Sequence, residues 1–157
     1  MRRRAAIILF ACVLLSCFLL LSFQGTGVSG GEESRLRSKL LRWDEAQVSQ
    51  DSWGEFRRFF AGEGYGAKDL LAAFAVVKPG EALHKAHRHA EEEFLVITEG
   101  SGTWSIDGKE LPLKKGDVLY VEPWVPHGCT NTSKEPMTFF VARWSGKGVT
   151  APPEPKE

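Results

Sequence analysis

Cysteine is scarce in this chain: there are three, and two of them, Cys12 and Cys17, fall within the first thirty residues. Cys129 stands alone in the remainder, so no intramolecular disulfide can staple the folded part. Acidic residues are wholly missing from residues 1 to 30. No basic cluster interleaved with aromatics occurs anywhere, which excludes a nucleic-acid-binding face. After residue 50 no stretch keeps a helical period, which argues against a helical or α/β domain. The sequence shows no internal repeat and no second domain, and its 157 residues fit one domain plus extensions. It also shows no nucleophile–base pair of the kind that would identify a hydrolase.

The acid-free start has a positive content of its own. Arg2, Arg3 and Arg4 form a basic cluster, and an uncharged apolar run, Ala5 to Phe23, follows. This is the pattern of an export segment, with a length between that of a signal peptide and that of a spanning helix. Residues 1–30 therefore read as a signal peptide or a signal anchor, expected as a hydrophobic helix. With the arginines retained inside, the domain lies outside the cytoplasm in either case, periplasmic or extracellular, and any membrane contact runs through this segment. Leu14-Leu15-Ser16-Cys17 imitates a lipobox, but the apolar Phe18-Leu19-Leu20-Leu21 behind it argues against cleavage there. Without the three arginines, 17 basic residues face 20 acidic ones, so the domain is mildly acidic.

Residues 31–50 read as a linker with a short helix over Glu32 to Arg42, where Leu36, Leu40 and Leu41 stand among charges. Short strand-like segments then alternate with turn residues. They are Trp53 to Phe60, Leu70 to Lys78, Phe94 to Thr98, Thr103 to Ile106, Lys109 to Leu113, Val118 to Val121 and Met137 to Trp144. Asp107-Gly108 between two of them is a hairpin signal. Many short strands with a turn about every ten residues predict an all-β sandwich or barrel over residues 51–145. The tail 146–157, rich in Pro, Gly and charge, is expected to be disordered.

Histidine is also rare, with four in the chain, but its placement is informative. His87-x-His89 is followed by Glu93, and His127 comes later. Alternate residues on a strand share a face, so His87 and His89, placed on one strand, point the same way, with Glu93 in the same parity. His127, from another strand, completes three imidazoles and one carboxylate around a divalent cation. Such nitrogen and oxygen donors suit Fe, Mn, Co, Ni, Cu or Zn without selecting among them. Four protein ligands leave positions open on a five- or six-coordinate ion. The competing reading is a set of ordinary polar histidines beside a solvated acidic run, Glu91-Glu92-Glu93.

Residues 80–100 and 116–131 resemble the two motifs of the cupin family. The first is a glycine, His-x-His, three or four residues, Glu, six residues and Gly. Here Gly80 stands one position further away than usual, and His87, His89, Glu93 and Gly100 hold the spacing. The second is Gly, five residues, Pro-x-Gly-x-x-His, three residues and Asn, matched by Gly116, His127 and Asn131. Glu122 replaces the motif proline and Trp124 the motif glycine, with Pro123 and Pro126 alongside. The resemblance covers roughly residues 53 to 144 and implies a single small double-stranded β-helix, or jelly roll. It also implies His87, His89, Glu93 and His127 as ligands to one transition metal, a small-molecule ligand or substrate, and a homodimer as a common assembly. It does not specify a reaction.

Around that site Cys129 shares parity with His127 and Asn131 and is expected to face the interior. His84 reads as a rim residue. Arg143 reads as a solvated arginine, able to bind an anionic group only if its strand turns it inward. Trp104, Tyr120, Trp124, Phe139, Phe140 and Trp144 are candidates for core and pocket walls. Asn131-Thr132-Ser133 is formally a glycosylation sequon, but the motif places that asparagine within structured β. Three functions fit: a metal-dependent oxygenase, isomerase or lyase in which Glu93 also moves protons, a non-catalytic small-ligand binder, and a barrel in which the metal is structural.

Overall fold

The computed structural model describes residues 35–156. The hydrophobic helix and export segment expected at the N-terminus lie outside the described residues. The described chain carries nine strands: β1 (Gln47–Asp51), β2 (Gly54–Gly62), β3 (Ala67–Val77), β4 (Glu92–Glu99), β5 (Ser101–Ile106), β6 (Lys109–Lys114), β7 (Val118–Val121), β8 (His127–Thr130) and β9 (Met137–Gly146). The single 3₁₀ turn Trp43–Glu45 precedes them. Six strands form one sheet in the order β1-β2-β3-β9-β4-β7, and three form a second in the order β6-β5-β8. The pairings within both sheets are antiparallel. This is the expected all-β jelly roll.

Alternation along the central strands builds the interior. On β3 the inward residues are Ala73, Ala75 and Val77, and on β9 they are Met137, Phe139 and Val141; all six are buried. Phe139 pairs with Ala75 on one side and Ile97 on the other. The small alanine leaves room for the large ring, which is 1% exposed. A side chain of that size, fully buried, contributes about 1.5–3 kcal/mol. From the second sheet Trp104 completes the core, packing edge-on against Phe139 with ring centroids 6.4 Å apart.

The outward faces of the same strands carry an aromatic layer of their own. Phe74 contacts Phe59 at 5.6 Å, Phe140 at 5.2 Å and Trp43 at 5.3 Å between centroids. Phe94 stacks on Trp144 at 5.7 Å and lies 5.1 Å from Tyr120. Of the aromatics expected in the core or pocket walls, Trp104 and Phe139 are core, Phe140 lies on this outer face, and Tyr120 and Trp144 line a groove there.

Three local expectations need correction. The described part of the expected helix, residues 35–42, holds no helix: Arg35 bridges Glu63 in parallel, and the Leu36 amide donates to the Glu63 carbonyl at 2.7 Å. A helix this short is marginal without a packed face, and here the sheet edge takes its backbone donor. Second, strand pairing begins at Gln47, within the segment read as linker. Third, residues 147–156 hold no helix or strand, yet they lie against the barrel. The Trp124 indole donates to the Pro152 carbonyl at 2.7 Å, and Arg88 pairs with Glu154 at 3.1 Å.

Asn131 fastens the end of β8 to two other segments. It is fully buried. Its amide nitrogen donates to the carbonyls of Val77 and Glu135 at 2.9 and 2.8 Å, and its oxygen accepts from the Ser133 amide and hydroxyl at 3.0 and 2.8 Å. Removing it strands buried partners, each costing about 1–3 kcal/mol. Asn131→Ala is expected to lower the unfolding free energy by about 2–6 kcal/mol in urea melts on the sum of two such groups. A change below about 0.5 kcal/mol, the size of an ordinary surface substitution, would contradict the assignment.

Candidate metal centre

His87 and His89 do not sit on a regular strand, contrary to expectation. They belong to the connection between β3 and β4, which runs beside β8 as an irregular extra strand. Ala82 bridges Thr130, and His87 bridges His127, both antiparallel. The second bridge is closed by two backbone bonds, from the His87 amide to the His127 carbonyl at 3.0 Å and back at 2.9 Å. His127 is thus the direct neighbour of His87, not a partner across the barrel. The Trp124 amide adds a bond to the His89 carbonyl at 2.8 Å. Glu93 enters at the start of β4.

The three rings converge. His87 lies 5.2 Å from His89 and 4.8 Å from His127 between centroids, and His89 lies 5.0 Å from His127. One donor nitrogen from each falls within 4.8 Å of the other two. Donors about 2.1 Å from a shared ion stand about 3–4 Å apart, so small side-chain rotations bring the set to that spacing. Two of the rings are pre-oriented. His89 Nδ1 donates to the Glu91 carbonyl at 3.0 Å, and His127 Nδ1 donates to the Val125 carbonyl at 2.9 Å. A carbonyl can only accept, so each ring holds a proton on Nδ1 and turns Nε2 toward the cluster, where it offers a lone pair whenever no proton is held there. His89 Nε2, His127 Nε2 and His87 Nδ1 are buried with no hydrogen-bond partner. Buried polar atoms are rarely left in that state. The donor set therefore fits a metal ion, and the three imidazoles could hold one.

Glu93 lies beside this set and outside the three-histidine group. It is 7% exposed. Its carboxylate oxygens stand 3.3 Å from His127 Nε2 and 3.6 Å from His89 Nε2, within ion-pair reach but not aligned for a hydrogen bond. Burial alone raises its carboxyl, but the His127 and His89 rings outweigh burial and pull it down to about 2. It is therefore an anion at neutral pH. His87 is pushed down to about 4 by burial first and by the neighbouring His84, His127 and His89 next. Burial also opposes charge on His127, but Glu93 and the Val125 carbonyl prevail and raise it.

The remaining candidates divide. His84 is exposed, its ring 3.9 Å from that of His87, and it stays outside the converging set. Cys129 is buried, its thiol pushed up to about 12 by burial, so it is not a ready thiolate. It lines a cavity of about 30 Å³ behind Glu93 and His127, together with Trp104 and Phe139. That is room for a water-sized group. A groove of about 630 Å³, between Trp144, Tyr120 and the tail, contains none of the histidines. Arg143 does turn inward: it pairs with Glu93 on β4 and continues the row of Phe139 and Val141. Its Nε is buried without a hydrogen-bond partner, 3.9 Å from a Glu91 oxygen. The side chain is still about a third exposed, so it is only partly the solvated arginine expected. The carbonyls of Glu91 and Val125, which orient the rings, left no trace in side-chain identity.

A small antiparallel jelly roll whose interior edge carries converging imidazoles is the architecture of a metal-binding barrel. Residues 73–143 match the family model described as the cupin domain, so this segment carries a cupin domain. It is 32% identical over 82 residues to a gentisate 1,2-dioxygenase from a Streptomyces species, covering 52% of this chain and 23% of that one. It is 26% identical over 119 residues to an oxalate-binding protein of Thermotoga maritima, covering 74% and 93%. The crystal structure of a Klebsiella pneumoniae protein with a double-stranded β-helix domain superposes with a TM-score of 0.58 at 20% identity, over 70% of this chain and 92% of that one. That likeness shows the fold. The chain spans less than a quarter of the dioxygenase's length.

The shifted groups give the metal-free protein a defined response to pH. His87 has a folded value near 4 against an ordinary 6.5, so its stabilisation is complete above pH 6.5 and is lost as pH falls toward 4. Glu93, near 2 against 4.5, adds a further loss below pH 4.5. His127, shifted upward, acts in the opposite sense: its contribution is full below pH 6.5 and is lost as pH rises through its folded value. The chelator-treated protein is expected to melt at progressively lower temperature from pH 6.5 to 4, with a flatter profile in His87→Asn. Superimposable profiles of the two proteins would contradict the assignment.

Proposed function

We propose that this is an exported cupin that binds one divalent transition metal through His87, His89, His127 and Glu93 and acts on a small organic molecule. The observation that carries the reading is the set of three buried imidazole nitrogens without hydrogen-bond partners, facing one another beside an ionised carboxylate. Export rests on the arginine cluster and the apolar run that follows it. A bound metal would supply Lewis acidity, polarising and orienting a substrate oxygen.

The chain's own residues define what else happens there. The Glu91 and Val125 carbonyls keep His89 and His127 in the tautomer that binds a cation. Glu93 enters as a carboxylate, able to act as fourth ligand and to accept a proton once released from that role. The packed interior around Trp104 and Phe139 keeps the ligand at the open side of the cluster. An oxygenase, isomerase or lyase reaction fits this arrangement, and the similarity to a dioxygenase supports it. The similarity to an oxalate-binding protein supports a second reading, capture of a small molecule without turnover, which the absence of a nucleophile–base pair favours equally.

Elemental analysis of the purified soluble segment from Gly31 onward tests the metal assignment. One transition-metal ion per chain is expected in the wild type, and at least a tenfold loss in His87→Ala, as removal of a ligand or its support commonly produces. Equal metal content in both proteins would refute the ligand set. With metal bound, product formation from a small-molecule panel supports the enzyme, and ligand-induced thermal stabilisation without product supports the binder.

A further inference from the structure

Trp124 occupies a backbone conformation that its side chain does not favour. Its φ is 68°, in the left-handed region, where a bulky residue is a rare outlier that persists only when its surroundings over-determine it. This is also the position at which the chain departs from the glycine of its motif. Three bonds converge on the segment. The Trp124 amide donates to the His89 carbonyl at 2.8 Å, the Val125 amide donates to the Glu122 carbonyl at 3.4 Å, and the indole nitrogen donates to the Pro152 carbonyl at 2.7 Å. Val125, the next residue, supplies the carbonyl that orients His127. The carboxy-terminal segment makes a second attachment through Glu154 to Arg88, which lies between His87 and His89.

We propose that Trp124 is a positioning residue for the histidine cluster, and that residues 147–156 are the latch holding it in place. The tail therefore reaches both connections that carry the imidazoles, one through the indole and one through Arg88. It supplies no strand and no member of the buried core, so its role is to brace these connections from outside. A glycine would adopt the same φ unaided; with tryptophan there, the indole–Pro152 bond supplies the constraint. The proposal rests on reading the cluster as a metal centre, and its test separates the two.

Co²⁺ alone serves as the probe, its visible absorption reporting the geometry of its ligands and a titration giving the affinity. Trp124→Phe keeps the ring and deletes the donor, and a chain ending at Ala151 deletes the acceptor. Trp124→Phe is expected to weaken Co²⁺ binding about three- to tenfold, the size of one lost hydrogen bond, and the shortened chain, which also loses the Glu154–Arg88 pair, at least as much; both alter the visible bands. Trp124→Gly removes the conformational demand. It is expected to lose less Co²⁺ affinity on ending at Ala151 than the wild type does, only the share carried by the Glu154–Arg88 pair, a coupling that a general loss of stability would not produce. Amide hydrogen exchange at positions 87, 124 and 127 supplies a readout without metal, with faster exchange expected in Trp124→Phe and in the shortened chain. Affinity and exchange equal to the wild type in both would overturn the proposal. If the wild type binds no Co²⁺, the metal reading fails, and the exchange arm alone decides whether Trp124 and the tail hold the connections: unchanged exchange overturns it, faster exchange sustains it.

Discussion

The reciprocal backbone bonds between His87 and His127 are the constraint on which the site depends. Without them the connection from β3 to β4 would be a surface loop carrying two polar side chains. With them it becomes an extra strand on the edge of β8, and two imidazoles are set side by side by register alone. His89 is then fixed by its ring bond to the Glu91 carbonyl and by the Trp124 amide at its own carbonyl. Backbone pairing, rather than side-chain packing, brings the three donors together. Backbone bonds are also what a short irregular segment can supply, since it buries too little apolar surface to be held by packing.

The barrel behind the site sets the electrostatics. Glu93 and His127 are buried among apolar neighbours that cannot solvate charge, so each group's ionisation follows from its partner. The carboxylate is stabilised by two rings, and His87 is kept neutral by burial and by its fellow imidazoles. Converging imidazole nitrogens beside one anion attract a cation more strongly than any of them would alone, and a proton competes for the same lone pairs.

Much of this was legible in the sequence. The apolar segments 70–78 and 137–144 between turn residues read as strands, and both are central; Asp107-Gly108 marked a hairpin. The spacing singled out His87, His89 and His127, whose rings converge, and Glu93, which lies beside them. The outward aromatics were not legible, because β3 and β9 are apolar on both faces: Phe74 and Phe140 cover one side and Ala75 and Phe139 the other. The helix expected near Leu36 failed because a local apolar spacing says nothing about a neighbouring sheet edge. The contacts of the tail with Trp124 and Arg88 are non-local, and a composition rich in Pro, Gly and charge conceals them.

The central claim is that three imidazoles and one carboxylate share a single cation. X-ray absorption at the K-edge of the metal in the loaded protein measures this most directly. The account expects nitrogen and oxygen donors at about 2.0–2.2 Å, with the outer-shell scattering of three imidazole rings. A first shell of oxygens alone, or scattering from at most one ring, would contradict it.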